Sequence, residues 1–345
     1  MPGTTAIPAA SVWPVLARYL DRDLARAAVA SELAPSGACR TWLVGMPAPR
    51  FVLRRLPPGT TAERARLVTA VHHHAARAGC APAVLANGEG ERLTLDGGRY
   101  FQLVQYAGST WDRHAVPGPR ACAGLGLALG RLHSALAGFS APGAGPRLAF
   151  PADPGAALRA AYAAHDHGAC AHATARQALA AKLRRADALS GTVLETLASL
   201  PQQVIHGDVH PGNVLASPSP GTRGTCGISL IDFDRTRYAP PAYEVMRALI
   251  YCVRPSGPRS AFEGRAEAFL SGYLAARPLS SREIETMATL YETVQVLGAY
   301  GLGACHGASA AALAFGEARF SLLYWLRRHG FAVVELARQA AATAG

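Results

Sequence analysis

The chain has 345 residues, a length that predicts two lobes or one domain with a large extension, and half of them are hydrophobic, which excludes a disordered protein. Its formal charge of +11 invites a nucleic-acid reading, but Lys182 is the sole lysine and no run of arginines exceeds two, so a clustered basic face is not expected. Seven scattered cysteines without a CxxC pair fit reduced thiols, and a start lacking any signal-peptide pattern adds to the expectation of a cytoplasmic protein.

Apolar residues at helical spacing, among them Val12, Leu16, Leu20, Leu24 and Ala28, predict a leading helix or two over residues 12 to 33. Four short strands then follow, at Thr41 to Val44, Arg50 to Leu56, Arg92 to Leu95 and Tyr100 to Tyr106, with one helix over about Thr61 to Ala78. Beyond Ala107 the chain reads as helix almost throughout, beginning with Pro119 to Leu136 and its stripe of Leu125, Leu129, Leu132 and Leu136. Two domains are expected, residues 1 to 107 and 108 to 345. The most apolar run, about Val294 to Phe315, is broken by five Gly and His positions and reads as a buried helix pair, not a membrane span.

The exception to the helical text is VIHGDVHPGNVLASPSPGTRGTCGISLIDFD, residues 204 to 234. Gly207 and Pro211-Gly212 call for tight turns, and Asp208 and Asn213 stand five residues apart on the loop between them. Phosphoryl transfer needs a carboxylate near the attacking hydroxyl and oxygen ligands for magnesium, and an Asp followed five residues later by Asn has the spacing of a kinase catalytic loop. If the strands at Val214 and Ile228 pair as a hairpin, Asp232 arrives beside that loop as a second metal ligand. An Asx-turn role for Asp208, and for Asp234 an ion pair with Arg235 or Arg237, are the structural alternatives.

The residues His206 to Leu215 and Leu230 to Asp234, with Leu129-Gly130-Arg131-Leu132-His133, resemble the aminoglycoside phosphotransferase and choline kinase family. That resemblance implies an α+β, protein-kinase-like bilobal fold, a small antiparallel β lobe with one helix beside a larger helical lobe. It implies an ATP- and Mg2+-dependent phosphotransferase acting on a small-molecule hydroxyl, with no nucleic acid or membrane partner, serving antibiotic resistance or biosynthesis. Asp208 would be the catalytic base or orienting group, Asn213 and Asp232 the magnesium ligands, and His206 a brace for the loop.

The small lobe matches unevenly. Where the family has a phosphate-binding lysine on a strand, this chain places Arg54, which keeps the charge but presents a wider fork. Glu63, the only acid between Arg54 and Glu89, is its candidate partner, or else the closing acid of a capping box at Thr60. Ser36 and Gly37 lie in the available phosphate-covering turn, and hinge backbone at Gln105 to Ala107 would meet the adenine. His72 to His74 share a helix and cannot jointly hold an ion, whereas His165, His167, Cys170 and His172 are candidate metal or substrate residues. After Asp234 there are eight glutamates, twelve arginines and no aspartate, an acid-poor lobe that predicts an acceptor other than a polycation. A protein kinase or a non-catalytic nucleotide-binding module are the competing classes.

Overall fold

The computed structural model describes residues 12–21, 29–33, 39–45, 48–112, 114–140, 147–163, 173–216, 227–256, 258–298 and 310–344. The leading helix is short: α1 spans Trp13–Tyr19, and β1, Val29–Glu32, takes the end of the predicted helical stretch. Ala30 lies opposite Val44 in the β1–β2 pairing and is buried, so sheet pairing overrides the local helical period there. With β2 (Arg40–Gly45), β3 (Pro49–Arg55), β4 (Thr94–Asp96) and β5 (Arg99–Gln105), it forms an antiparallel sheet in the order β1-β2-β3-β5-β4. The sheet thus has one strand more than the sequence predicts, and the third predicted strand starts at Thr94 instead of Arg92. On one face Val15 and Leu16 of α1 pack with Trp42, Leu53 and Leu103.

The helix α2, Ala62–Arg77, starts at Thr61, whose hydroxyl accepts the Arg64 N–H at 3.2 Å. Its apolar stripe of Leu67, Val68, Val71 and Ala75 belongs to the core of the helical lobe. One continuous core therefore crosses the boundary drawn at residue 107, and the β lobe is fixed to the lobe below it.

That lobe contains β6 (Ser109–Thr110), α3 (Pro119–Leu136), α4 (Pro154–Ala163), α5 (Ala173–Asp187), α6 (Gly191–Ala198) and β7 (Gln203–Ile205). After these come β8 (Val214–Ala216), β9 (Ile228–Leu230), β10 (Arg237–Ala239), α7 (Pro241–Ala248), α8 (Arg259–Ala276), α9 (Ser281–Leu297) and α10 (Ala310–Ala344). The two small sheets, β6-β8-β9 and β7-β10, include Ser109–Thr110, outside the stretch where the sequence predicts strands.

Helices α3 and α8 approach backbone to backbone, since a Cβ on Gly126 would stand 1.9 Å from the Phe269 carbonyl oxygen and one on Gly272 2.2 Å from that of Ala123. Such contact needs residues without side chains and fills the centre of the lobe with Leu125, Leu129, Phe269 and Tyr273. The floor that carries the site is close-packed for this reason. Lys182 donates to the Gly298 carbonyl at 2.5 Å at the end of α9, which makes the single lysine a structural residue. Among the described residues, no helix is long and apolar enough to cross a membrane.

Candidate active site

β8 and β9 pair antiparallel, Val214 opposite Leu230, as the hairpin reading of residues 204 to 234 requires. One residue before the pairing, the Ile231 N–H donates to the Asn213 carbonyl at 3.0 Å, which sets Asn213 beside Asp232. The two strand ends also meet at Gly207. Its φ is +83°, and a Cβ there would stand 2.1 Å from the Arg235 carbonyl oxygen. Gly207→Ala combines a left-handed penalty of about 1–2 kcal/mol with a backbone clash, and is expected to lower the melting temperature and the activity together. A wild-type melting curve would exclude this close approach.

His206 is fully buried and braces the loop. One ring nitrogen, Nε2, lies 2.8 Å from the Ile231 carbonyl, and Nδ1 accepts the Asp208 N–H at 3.2 Å, which makes Nε2 the donor to that carbonyl. Beneath it sits Glu244 of α7, completely buried. Its carboxylate accepts the N–H groups of His206 at 3.0 Å and Gly207 at 2.5 Å, and lies 3.0 Å from Nε2 of His133. Burial raises the Glu244 pKa, but His133 and the Gly207 N–H outweigh it and leave it below the ordinary value. Burial also lowers His133, against the pull of Glu244, so the pair is a carboxylate and a neutral imidazole donating through Nε2 while Nδ1 accepts from the Tyr273 hydroxyl at 2.8 Å.

Asp208 faces Arg247, whose Nη2 bonds its Oδ1; Nε2 of His210 lies 3.8 Å from Oδ2. Asn213 donates its Nδ2–H to the Asp208 carbonyl at 3.0 Å, so its Oδ1 is the atom that could take a cation. Asp232 stands at φ 68°, a left-handed conformation unusual for a non-glycine residue and common where a site holds a residue under strain. Its side chain is 37% exposed, so the carboxylate is accessible to a cation. Two hard oxygen donors, Asp232 and Asn213, suit Mg2+.

Arg54 stands against these acids and not against Glu63. Its Nη2 lies 2.7 Å from Asp232 Oδ1 and 2.6 Å from Asp234 Oδ2. Burial lowers its pKa, but the two carboxylates reverse the shift and hold the guanidinium charged. The converse holds at Asp232: burial raises its carboxyl, while Arg54 and the Asp234 N–H bring it below the usual range. Arg54 Nη1 is buried without a hydrogen-bond partner among the described residues. Glu63 is exposed at the second position of α2, and because the cap is Thr61 rather than Thr60 it closes no capping box. Asp234 likewise pairs with Arg54 and not with Arg235 or Arg237.

At the hinge, the Gln105 N–H is spent on the Ala83 carbonyl at 2.8 Å, which removes it as an adenine donor, while no partner for the Ala107 N–H is seen among the described residues. Ser36, Gly37 and the histidines and cysteine between 165 and 172 lie outside the described residues. The three consecutive histidines separate as expected. His72 lies 3.1 Å from the Pro82 carbonyl and stacks on Phe233, and His74 lies 2.9 Å from the Ala135 carbonyl.

Burial lowers His72 from 6.5 to about 3, with Arg54 adding to the effect. The unfolded chain therefore binds a proton between pH 6.5 and 3 that the folded chain refuses, so stability is full above about pH 6.5 and falls as the pH drops. Urea unfolding across this range is expected to show a falling midpoint, with a shallower fall in His72→Gln; equal slopes would exclude the contribution.

Sequence reasoning missed Glu244, His133 as its partner, Arg64, Cys39 and Arg247. Arg64 donates to the carbonyls of Asp234 at 2.6 Å and Thr236 at 2.8 Å, tying α2 to the Asp232 loop. The Cys39 thiol donates to Asp234 at 3.2 Å, and burial, against Arg54, pushes its pKa to about 12. The available signal for Glu244 was its isolation, as the only acid between Asp234 and Glu263.

A small antiparallel β lobe, a helical lobe and a carboxylate-amide cluster at a strand hairpin define a protein-kinase-like phosphotransferase. The chain belongs to the phosphotransferase enzyme family, whose model matches residues 31–279. No curated protein matches the sequence significantly. Among solved structures, an aminoglycoside phosphotransferase from Alicyclobacillus acidocaldarius is 17% identical, with 98% of this chain and 97% of that one covered at a TM-score of 0.59. A microcompartment-associated aminopropanol kinase is 16% identical over 94% and 98% of the two chains, with a TM-score of 0.60. Amicoumacin kinase in complex with AMP-PNP, Ca2+ and Ami is 14% identical over 96% and 94%, with a TM-score of 0.62. At these identities the likeness is one of fold.

Proposed function

We propose that the chain transfers the γ-phosphoryl group of ATP to a hydroxyl of a small molecule, as an enzyme of antibiotic resistance or biosynthesis. The observation that carries this reading is the Ile231 to Asn213 hydrogen bond, which brings Asp208, Asn213 and Asp232 to one end of a hairpin. Magnesium would sit on Asp232 and Asn213 and neutralise phosphate charge when bound. Arg54 would turn its free Nη1 to the phosphates, and Ala107 would offer its N–H to the base. Asp208 would orient the acceptor hydroxyl and receive its proton, contributing mainly position and charge.

A non-catalytic nucleotide-binding module has one observation in its favour, the Arg54 guanidinium lying across Asp232 and Asp234. A protein kinase is disfavoured because α7 begins only nine residues after Asp232, leaving no long activation segment. Mass spectrometry of a metabolite and antibiotic panel incubated with ATP and Mg2+ tests the reading. A compound gaining one phosphoryl group supports it, and ATP binding without transfer to any hydroxyl favours the module.

A further inference from the structure

At the edge of the main core, three segments enclose a cavity of about 260 Å3. Leu148 and Phe150 form one wall, Leu158 of α4 a second, and Val294 and Leu297 of α9 a third; all but Leu158 are only half-buried. Polar contacts behind the walls hold them in place. The Leu148 N–H donates to Gln202 Oε1 and its carbonyl accepts the Gln202 Nε2–H, both at 2.8 Å. The end of α9 is held by Lys182 on the Gly298 carbonyl and by Arg185, 2.9 Å from Glu292. The space exceeds the roughly 150 Å3 of apolar cavity that takes up a benzene ring. Half-exposed apolar side chains gathered in such a concave place mark a ligand pocket.

Two independent connections join this cavity to the Asp208 loop. The Leu148 N–H also reaches the Tyr238 carbonyl at 3.2 Å, Tyr238 stands opposite Val204 in the β10–β7 pairing, and β7 runs straight into His206 and Asp208. On α9, Val294 and Gly298 share a face with Tyr291, whose ring lies 5.3 Å from that of Tyr243 on α7. Arg247, one turn beyond Tyr243, bonds Asp208. At 1.5 Å per residue the cavity therefore runs from about 5 to about 10 Å along α9 from that crossing. No charged side chain lines it among the described residues. The acids in its walls are engaged elsewhere, since Asp153 caps α4 through the Ala156 N–H at 2.8 Å and Glu292 pairs with Arg185. An ammonium seated there would find no counter-charge.

We propose that the acceptor is an amphiphilic alcohol, with an apolar ring or short chain seated between Leu148, Phe150, Leu158, Val294 and Leu297 while its hydroxyl lies at Asp208. The inference rests on the phosphotransferase reading above and narrows its acceptor class. Burial of the apolar group takes no part in the chemical step, so its contribution falls on substrate binding.

The test measures phosphoryl transfer from ATP, with Mg2+, to a homologous series of 1,2-diols from propane-1,2-diol to decane-1,2-diol. In the wild type, kcat/KM is expected to rise about fourfold for each methylene that enters the cavity, through KM and not kcat. Ala157→Trp, which places a large ring in the cavity from α4, is expected to flatten that rise. Should Ala157→Trp fail to fold, Leu297→Gln makes the comparison by turning one apolar wall polar. A flat series in the wild type, or a rise that survives the substitution, overturns the inference and leaves the phosphotransferase reading standing. So does calorimetric binding of MgATP without turnover of any diol. A chain that binds no MgATP overturns both.

Discussion

Asp208→Asn is expected to lower turnover by about a hundredfold or more while nucleotide affinity stays near that of the wild type. Asparagine is isosteric and keeps an oxygen for Arg247, so the loop retains its shape. What it loses is the ability to accept the acceptor's proton and the negative charge that balances Arg247. The nucleotide is expected to be held elsewhere, at Arg54, Asn213 and Asp232, so chemistry and nucleotide binding separate in this variant. Acceptor-dependent ADP release measured alongside ATP titration checks both halves. Unchanged turnover would remove Asp208 from the reaction.

The second large effect concerns stability. Glu244→Ala is expected to cost on the order of 3–5 kcal/mol, because it leaves the His206 and Gly207 N–H groups and the His133 ring without their acceptor in a fully buried place. That is a large share of the roughly 5–15 kcal/mol that holds an ordinary domain folded. Glu244→Gln keeps one acceptor oxygen but turns an amide N–H toward a donor, and is expected to fall between the two. Denaturant midpoints for the three proteins measure the series. A Glu244→Ala midpoint equal to that of the wild type would mean that the loop stands without its brace.

The two lobes and the hairpin were legible because their signals are local. Asp208 to Asn213 is one loop, Val214 and Ile228 start short apolar strands, and the Gly/Pro text between them can only be a connection. β1 was not legible, since Val29 to Glu32 continues the helical spacing of the residues before it, and only Val44 across the sheet decides the matter. Glu63 misled for a related reason: it was the one acid close in sequence, whereas the partners of Arg54 are 178 and 180 residues away. The Asp208–Arg247 pair, 39 residues apart, had no spacing rule to reveal it. Long-range ion pairs of this kind follow from packing, and packing is not written in any single window of sequence.

The central claim is that the loop at Asp208 and the turn at Asp232 form one site with divided roles. Calorimetric titration with ATP, with and without Mg2+, on the wild type, Asp232→Asn and Asp208→Asn tests it most directly. The predicted result is Mg2+-dependent binding in the wild type, its loss in Asp232→Asn and its retention in Asp208→Asn. Wild-type Mg2+-dependent affinity in Asp232→Asn would contradict the claim.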